Sequence, residues 1–304
     1  MVMHVDLSLP VGGLLVGLLV GLTGMGGGAL LTPLLVLVFK VSPLTAISSD
    51  LMTSLVMKPV GGAVHLRHRT VNWQLVGWLT LGSAPAGFLG ALAIGSIAHA
   101  AGVQDGLKVI IGIALSAAVG LMILRQVLDR RIRRIDAAAG GPPEAPVDVR
   151  PLRTVAIGAI GGFAVGMTSV GAGSLIIAML LMAYPGLRPA RLVGTDIVQA
   201  VPLVAAATLG HLLFGDVQFA LAGALLLGAV PGVWLGARMS ARGPAAVIRP
   251  VITAVLSASA LALLHAPSSL VVGGAVAAMA VTVALARPSR RPAAVSVPEL
   301  VAHR

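Results

Sequence analysis

The sequence predicts an all-α polytopic membrane protein built as an inverted repeat of two halves. Three observations carry that reading. The first is apolar content: 57% of the 304 residues are hydrophobic, 10% are charged and the mean hydropathy is +1.00. Runs of about 18 or more apolar residues recur along the whole chain, the length needed to cross a bilayer as a helix. The second is an internal repeat. Gly21, Thr23, Gly26, Gly28 and Leu30 recur 145 residues later as Gly166, Thr168, Gly171, Gly173 and Leu175. One inserted residue changes the offset to 146. Pro43, Asp50, His65, Leu66 and Val71 then recur as Pro189, Asp196, His211, Leu212 and Val217, and Gly82, Pro85, Leu89, Gly90 and Ala91 as Gly228, Pro231, Leu235, Gly236 and Ala237. Chance supplies glycines and leucines; it does not readily supply Asp, His and Pro in one register. The third is the distribution of arginine, which orients the two copies oppositely.

Other classes are excluded on composition. A transmembrane β-barrel needs alternating segments of about ten residues, which are absent. The net charge of +11 lies mostly in short loops between apolar runs, where it orients a membrane protein, and 3% aromatic residues do not make a nucleic-acid surface. There is no cysteine, so no disulfide and no thiolate metal site, and the first ten residues lack the basic start of a secretory signal. No cofactor, metal site or catalytic residue is expected.

The first repeat covers residues 1–124. Its opening run, 10–39, is broken by Gly21-Leu22-Thr23-Gly24-Met25-Gly26-Gly27-Gly28, with five glycines in eight residues. Such a run ends a helix. It reads either as close packing of small residues between helices or as an interruption at membrane depth where backbone faces a ligand. Spans follow at 46–64, 73–95 and 107–124. A hydrophilic linker, 125–153, holds seven arginines and a Gly-Pro-rich centre, and separates the halves. The second repeat covers 154–265, with a broken run at 154–184 and spans at 196–213, 217–237 and 250–265. One extra helix is expected at 269–286 and a basic tail at 287–304.

Arginines put the linker, the loop from Arg238 to Arg249 and the tail in the cytoplasm. Counting back from the tail, the segment 154–184 starts and ends on the cytoplasmic side, so it enters and returns. Residues 154–168 and 174–184 then form half-helices of roughly 22 and 16 Å at 1.5 Å per residue. The same count in the first half places the N-terminus outside, the C-terminus inside, and a hairpin at 10–39 that enters from the outside. The two tips meet near the midplane.

Helix N-termini at such tips present backbone donors and partial positive charge, which suits an anion. The candidate binding residues are Thr23, Gly24, Met25, Gly26, Gly27 and Gly28 at the first tip, and Thr168, Ser169, Val170, Gly171, Gly173 and Ser174 at the second. Lys58, an intramembrane cation, either contacts the anion or snorkels to the cytoplasmic side. Its counterpart is Val204, so it breaks the symmetry. Ser49, Thr195 and Gln199 are further candidates on the second helix of each repeat. Capping explains the first two, and interhelical hydrogen bonding explains the third. Asp50, Asp196, His65 and His211 are candidates for proton coupling, against the plainer roles of first-turn acids and C-terminal cations.

These motifs resemble the TauE/SafE, or sulfite exporter, family. The likeness lies in Gly24-Met25-Gly26-Gly27-Gly28 with Pro33, in Ala46-Ile47-Ser48-Ser49, and in the loop from His65 to Trp73. In the second half it lies in Gly194-Thr195-Asp196, Gly210 to Val217, and Gly228 to Gly236. It covers about residues 8–265. It implies a bacterial inner-membrane carrier for sulfite, thiosulfate, sulfoacetate or a related sulfonate, working within a lipid bilayer and with no nucleic-acid partner. Without a P-loop, transport would draw on gradients, including a proton gradient. A passive anion channel and an intramembrane hydrolase are the alternatives; the second lacks a G-x-S-x-G elbow.

Overall fold

The computed structural model describes residues 7–23, 27–67, 71–98, 103–138, 148–171, 173–184, 189–240 and 245–286. All regular structure among them is helical. In chain order the helices are α1 (Ser8–Thr23), α2 (Gly28–Pro33), α3 (Pro43–Arg67), α4 (Trp73–Ala98), α5 (Gln104–Ala138), α6 (Pro151–Thr168), α7 (Leu175–Ala183), α8 (Pro189–Phe214), α9 (Phe219–Ser240), α10 (Ala245–Leu263) and α11 (Ser268–Ala286). Six of them contain stretches long and apolar enough to cross a membrane: α4, α5 up to Leu128, α6, α8 from Arg191, α9 up to Gly236, and α11.

Helix α1 is described as far as Thr23, and helix α2 starts at Gly28. Gly24, Met25 and Gly26 lie outside the described residues, as do Ala172, the linker centre at 139–147, the tail at 287–304, and the side chains of Thr23 and His65. Pro33 sits inside the second limb. It has no N–H to give, and the chain widens into a π-helical turn over Leu34–Val38 directly after it. In the second half, α6 ends at Ser169, which adopts φ 59°, and Gly171 follows at φ 116°. The left-handed cap stops the helix, and the turn needs a glycine at Gly171.

Both broken segments close on themselves. The Tyr184 hydroxyl at the end of α7 accepts from the Arg150 amide at 3.1 Å and lies 2.6 Å from Thr154 Oγ1 near the start of α6. In the first half, the Phe39 ring packs beside Gly12, where an added Cβ would lie 3.3 Å from it. The limbs are unequal, however. α6 has 18 residues, roughly 27 Å at 1.5 Å per residue, against roughly 14 Å for the nine of α7. The first limb is therefore longer than the half-helix expected at 154–168. α5 likewise runs on to Ala138, so the start of the segment expected as linker is helical.

The limbs pack across the halves. α1 lies along α9 and α6 lies along α4. Small residues make both seams. Cβ atoms added at Gly13 and Gly17 would lie 2.3–2.4 Å from the carbonyl oxygens of Leu225 and Ala229; at Gly158 and Gly162, 2.3–2.4 Å from those of Leu79 and Ser83. Backbones this close replace the hydrophobic drive that lipid cannot supply between helices. α3 meets α8 in the interior, and α5 meets α10. α11 packs on α10 and α5 at the periphery, with only Ala278 and Thr282 buried.

Polar residues concentrate at the centre. Ser48, Ser49, Asp50, Thr53 and Ser54 of α3 and Thr195, Asp196, Gln199, Thr208 and His211 of α8 are all buried. Buried polar groups must find partners, and here most find them in each other.

Candidate functional site

The two turns touch. A Cβ built on Gly28 would fall 1.7 Å from the carbonyl oxygen of Ser169 and 2.7 Å from its hydroxyl. Only a residue without a side chain fits there. Around this contact lies a narrow cavity of about 20 Å³, room for about one water, partly open to its surroundings. Its wall takes Gly28 and Ala29 from the first tip, Ser169, Gly171, Gly173 and Ser174 from the second, and Ser54 and Lys58 from α3. Ala118 and Met122 of α5, Val165 of α6, Val204 of α8 and Leu256 of α10 complete it. Its apolar lining is joined by a few polar groups, Ser169 and Ser174 beside the second turn and Ser54 and Lys58 of α3.

Lys58 and Val204, 146 residues apart, both line this cavity. The lysine is within electrostatic reach of Asp196 and of Asp50. Asp50 is fully buried. Its carboxylate accepts from Thr32 Oγ1 at 2.6 Å and from Ser54 Oγ at 3.3 Å. The Ser169 hydroxyl also faces Asp50, but completes no well-formed hydrogen bond and is buried without a partner. A hydroxyl left unsatisfied at the wall of a polar cavity has a donor to give. Asp196 is also buried; it accepts from Gln199 Nε2 at 3.1 Å, and Gln199 Oε1 in turn accepts from Ser83 at 3.0 Å. Arg125 of α5 acts on Asp196 electrostatically.

Several backbone donors at the tips are consumed locally. The amides of Leu30 and Leu31 donate to the Gly27 carbonyl, and those of Ser174 and Leu175 to the Gly171 carbonyl. The cavity therefore offers hydroxyls, the lysine and the partial positive charge of the α7 N-terminus.

Other expected residues lie away from the cavity wall. The Thr168 hydroxyl donates to Ala164 at 2.7 Å, inside its own helix, and Val170 is buried in the core. The Ser49 hydroxyl accepts from the Gln218 amide at 3.3 Å, and Thr195 Oγ1 accepts from the Asn72 amide at 3.0 Å. These two bonds are 146 residues apart at both ends: one ties α3 to the start of α9, the other ties α8 to the start of α4. His211 bridges Ser48, 2.8 Å from Nδ1, and the Gly166 carbonyl, 2.8 Å from Nε2. The Nε2 proton goes to the carbonyl, so Nδ1 accepts from the serine. Beside it, Thr45 donates to the Asp216 carboxylate. Gln199 is spent on Asp196 and Ser83. Sequence reasoning missed Thr32 and Ser54: ordinary hydroxyls in apolar helices carry no signal until the fold sets them beside Asp50. Among the described residues no group of three or more His, Cys, Asp or Glu could hold a metal.

The family model described as "Sulfite exporter TauE/SafE" matches residues 9–263. The chain belongs to that family. It is 36% identical over 263 residues to the "Probable membrane transporter protein YjnA" of Bacillus subtilis (strain 168), covering 85% of this chain and 100% of the relative. No solved structure matches it. This TauE/SafE member is therefore a multi-pass membrane transporter that takes a small substrate within a lipid environment.

Proposed function

We propose that the chain is a secondary carrier of a small sulfur-containing anion, such as sulfite, thiosulfate, sulfoacetate or a related sulfonate, in a bacterial inner membrane. The anion binds between the tips, with Ser169, Ser174 and Ser54 as donors and Lys58 as counter-charge. The family description supports the substrate class. The single observation that carries the site is the cavity at the Gly28–Ser169 contact, where the unpartnered Ser169 hydroxyl and Lys58 share one wall.

The two halves are inverted copies, each a re-entrant hairpin and three further helices, with α11 added. The hydrogen bonds at Ser49 and Thr195, the crossed packing of α1 on α9 and α6 on α4, and the Tyr184–Arg150 closure support this reading. Each tip is seated in the opposite half. Rocking one half against the other then opens the cavity to each side in turn.

The test is flux in proteoliposomes, screening sulfite, thiosulfate, sulfoacetate, taurine and sulfate. Saturable counterflow of one or more sulfur anions is expected. Unitary currents would make the protein a channel; no flux of any of them, from protein that retains its fold, would remove the substrate reading.

A further inference from the structure

Beyond the substrate, the arrangement of charge around the cavity determines what must travel with it. We infer that a monovalent anion is carried with one proton, held by Asp50, so that its transport is electroneutral. The inference rests on the proposed anion site.

Charge bookkeeping leads to it. Lys58 lines the cavity, and Asp50 and Asp196 are buried behind the wall. Among the described residues, Arg125 of α5 also acts on Asp196, beside a further interaction of its own. Thr32 of α2 and Ser169 of the second tip are neutral, as are Ser54, Gln199 and Ser83. A monoanion entering the cavity adds one negative charge to an apolar interior that already holds two carboxylates, which is costly. One proton taken up by one carboxylate offsets that added charge.

Geometry selects which carboxylate. Asp196 is gripped by Gln199, which Ser83 holds in place, and both cations act on it. None of its hydrogen-bond partners lines the cavity. Asp50 is different. Ser54 donates to it and Ser169 faces it, and both line the cavity. A hydroxyl has one proton to give. When an anion arrives, Ser54 can turn to it only by leaving Asp50, while the unpartnered Ser169 hydroxyl is free to turn to it at once. The carboxylate then loses a donor at the moment the site gains negative charge. Once protonated, it becomes a donor itself and no longer repels the anion. Anion and proton binding thus favour each other, and linkage makes the effect mutual. His211 does not serve this role: both its ring nitrogens are occupied, by Ser48 and Gly166.

The test uses the purified full chain in proteoliposomes with labelled isethionate, a sulfonate whose single charge does not change near neutral pH, and a pH-sensitive dye in the lumen. Counterflow against unlabelled isethionate reads the site. Net uptake reads the coupling. A gradient of about one pH unit, acid outside, is expected to accumulate isethionate up to about tenfold, with about one proton entering per anion and no response to a potassium diffusion potential. Asp50→Asn is expected to keep measurable counterflow and lose both accumulation and proton entry. Net flux that follows the potential and ignores the pH gradient overturns the inference and leaves the anion site standing. Proton entry that persists in Asp50→Asn removes Asp50 from the role. If Asp50→Asn does not fold, the proton-to-anion ratio of the unmodified chain still decides the coupling. If isethionate shows no counterflow, the same two readings are taken with whichever screened anion does, and absence of counterflow with all of them overturns the anion reading and the coupling with it.

Discussion

Gly28 presses its α-carbon against the Ser169 carbonyl, so closely that a methyl group added to the glycine would sit 1.7 Å from the oxygen. The contact joins two turns that are about half the chain apart in sequence. Gly28→Ala must push the tips apart. Overpacking of this kind costs about 1–3 kcal/mol. The expected result is a lower melting temperature in detergent and flux below about a tenth of the original. Unchanged flux would mean that the tips do not need to touch.

Ser169 gives a sharper separation of stability from function. Its hydroxyl is buried and unpartnered, so Ser169→Ala removes a group that contributes no hydrogen bond to the resting fold. Thermal stability should hold or rise slightly, since burying an unsatisfied hydroxyl costs roughly 1–3 kcal/mol. KM for the anion should rise by about tenfold, the loss of one charge-assisted hydrogen bond worth about 1.5 kcal/mol or more. A large fall in stability with no change in KM would assign Ser169 to packing.

Lys58 is tested by shape as well as charge. Lys58→Met keeps the apolar stem and deletes the cation that acts on Asp196 and Asp50. Anion affinity should fall by at least about tenfold, and Lys58→Arg should restore part of it. Equal affinity in all three proteins, measured by binding to detergent-solubilised carrier, would mean that the side chain only snorkels.

Much of this was legible in the sequence, for identifiable reasons. Glycine clusters break helices wherever they stand, so the interruptions between Thr23 and Gly28 and between Thr168 and Leu175 follow from backbone physics alone. The doubling of Asp50 as Asp196 marked polar positions of one core, and the same register picked out His211. The helical run of α5 past Leu124 was hidden because polarity reads as the end of a span, whereas a helix needs no apolar residues once it leaves the bilayer. The Tyr184 closure was invisible because a lone tyrosine after an apolar run has no periodicity to read. Ser54 and Thr32 were missed for the same reason: their meaning is their distance to Asp50, which only the fold sets.

The paired bonds from Gln218 to Ser49 and from Asn72 to Thr195 predict matched costs. Ser49→Ala and Thr195→Val each strand a backbone donor at the start of a helix, worth about 1 kcal/mol or somewhat more. Both should lower the melting temperature by similar amounts. The two bonds share no partner, so the double variant should show about the sum of the two effects. A large loss at one site and none at the other would argue that the two halves are not equivalent here.

Orientation is open to a direct chemical test, because the chain has no cysteine. Leu7 and Asp148 are exposed, one before α1 and the other just before α6. In the inverted arrangement they lie on opposite sides of the membrane, although each precedes the first limb of a hairpin. Leu7→Cys should react with a membrane-impermeant maleimide added to intact cells, while Asp148→Cys should react only after the membrane is opened. Met239, exposed near the end of α9, should behave like Asp148 when replaced by cysteine. Labelling of Leu7→Cys and Asp148→Cys from the same side would make the halves parallel copies. The two tips would then enter from one face, and the positive-inside reading that placed them against each other would fail.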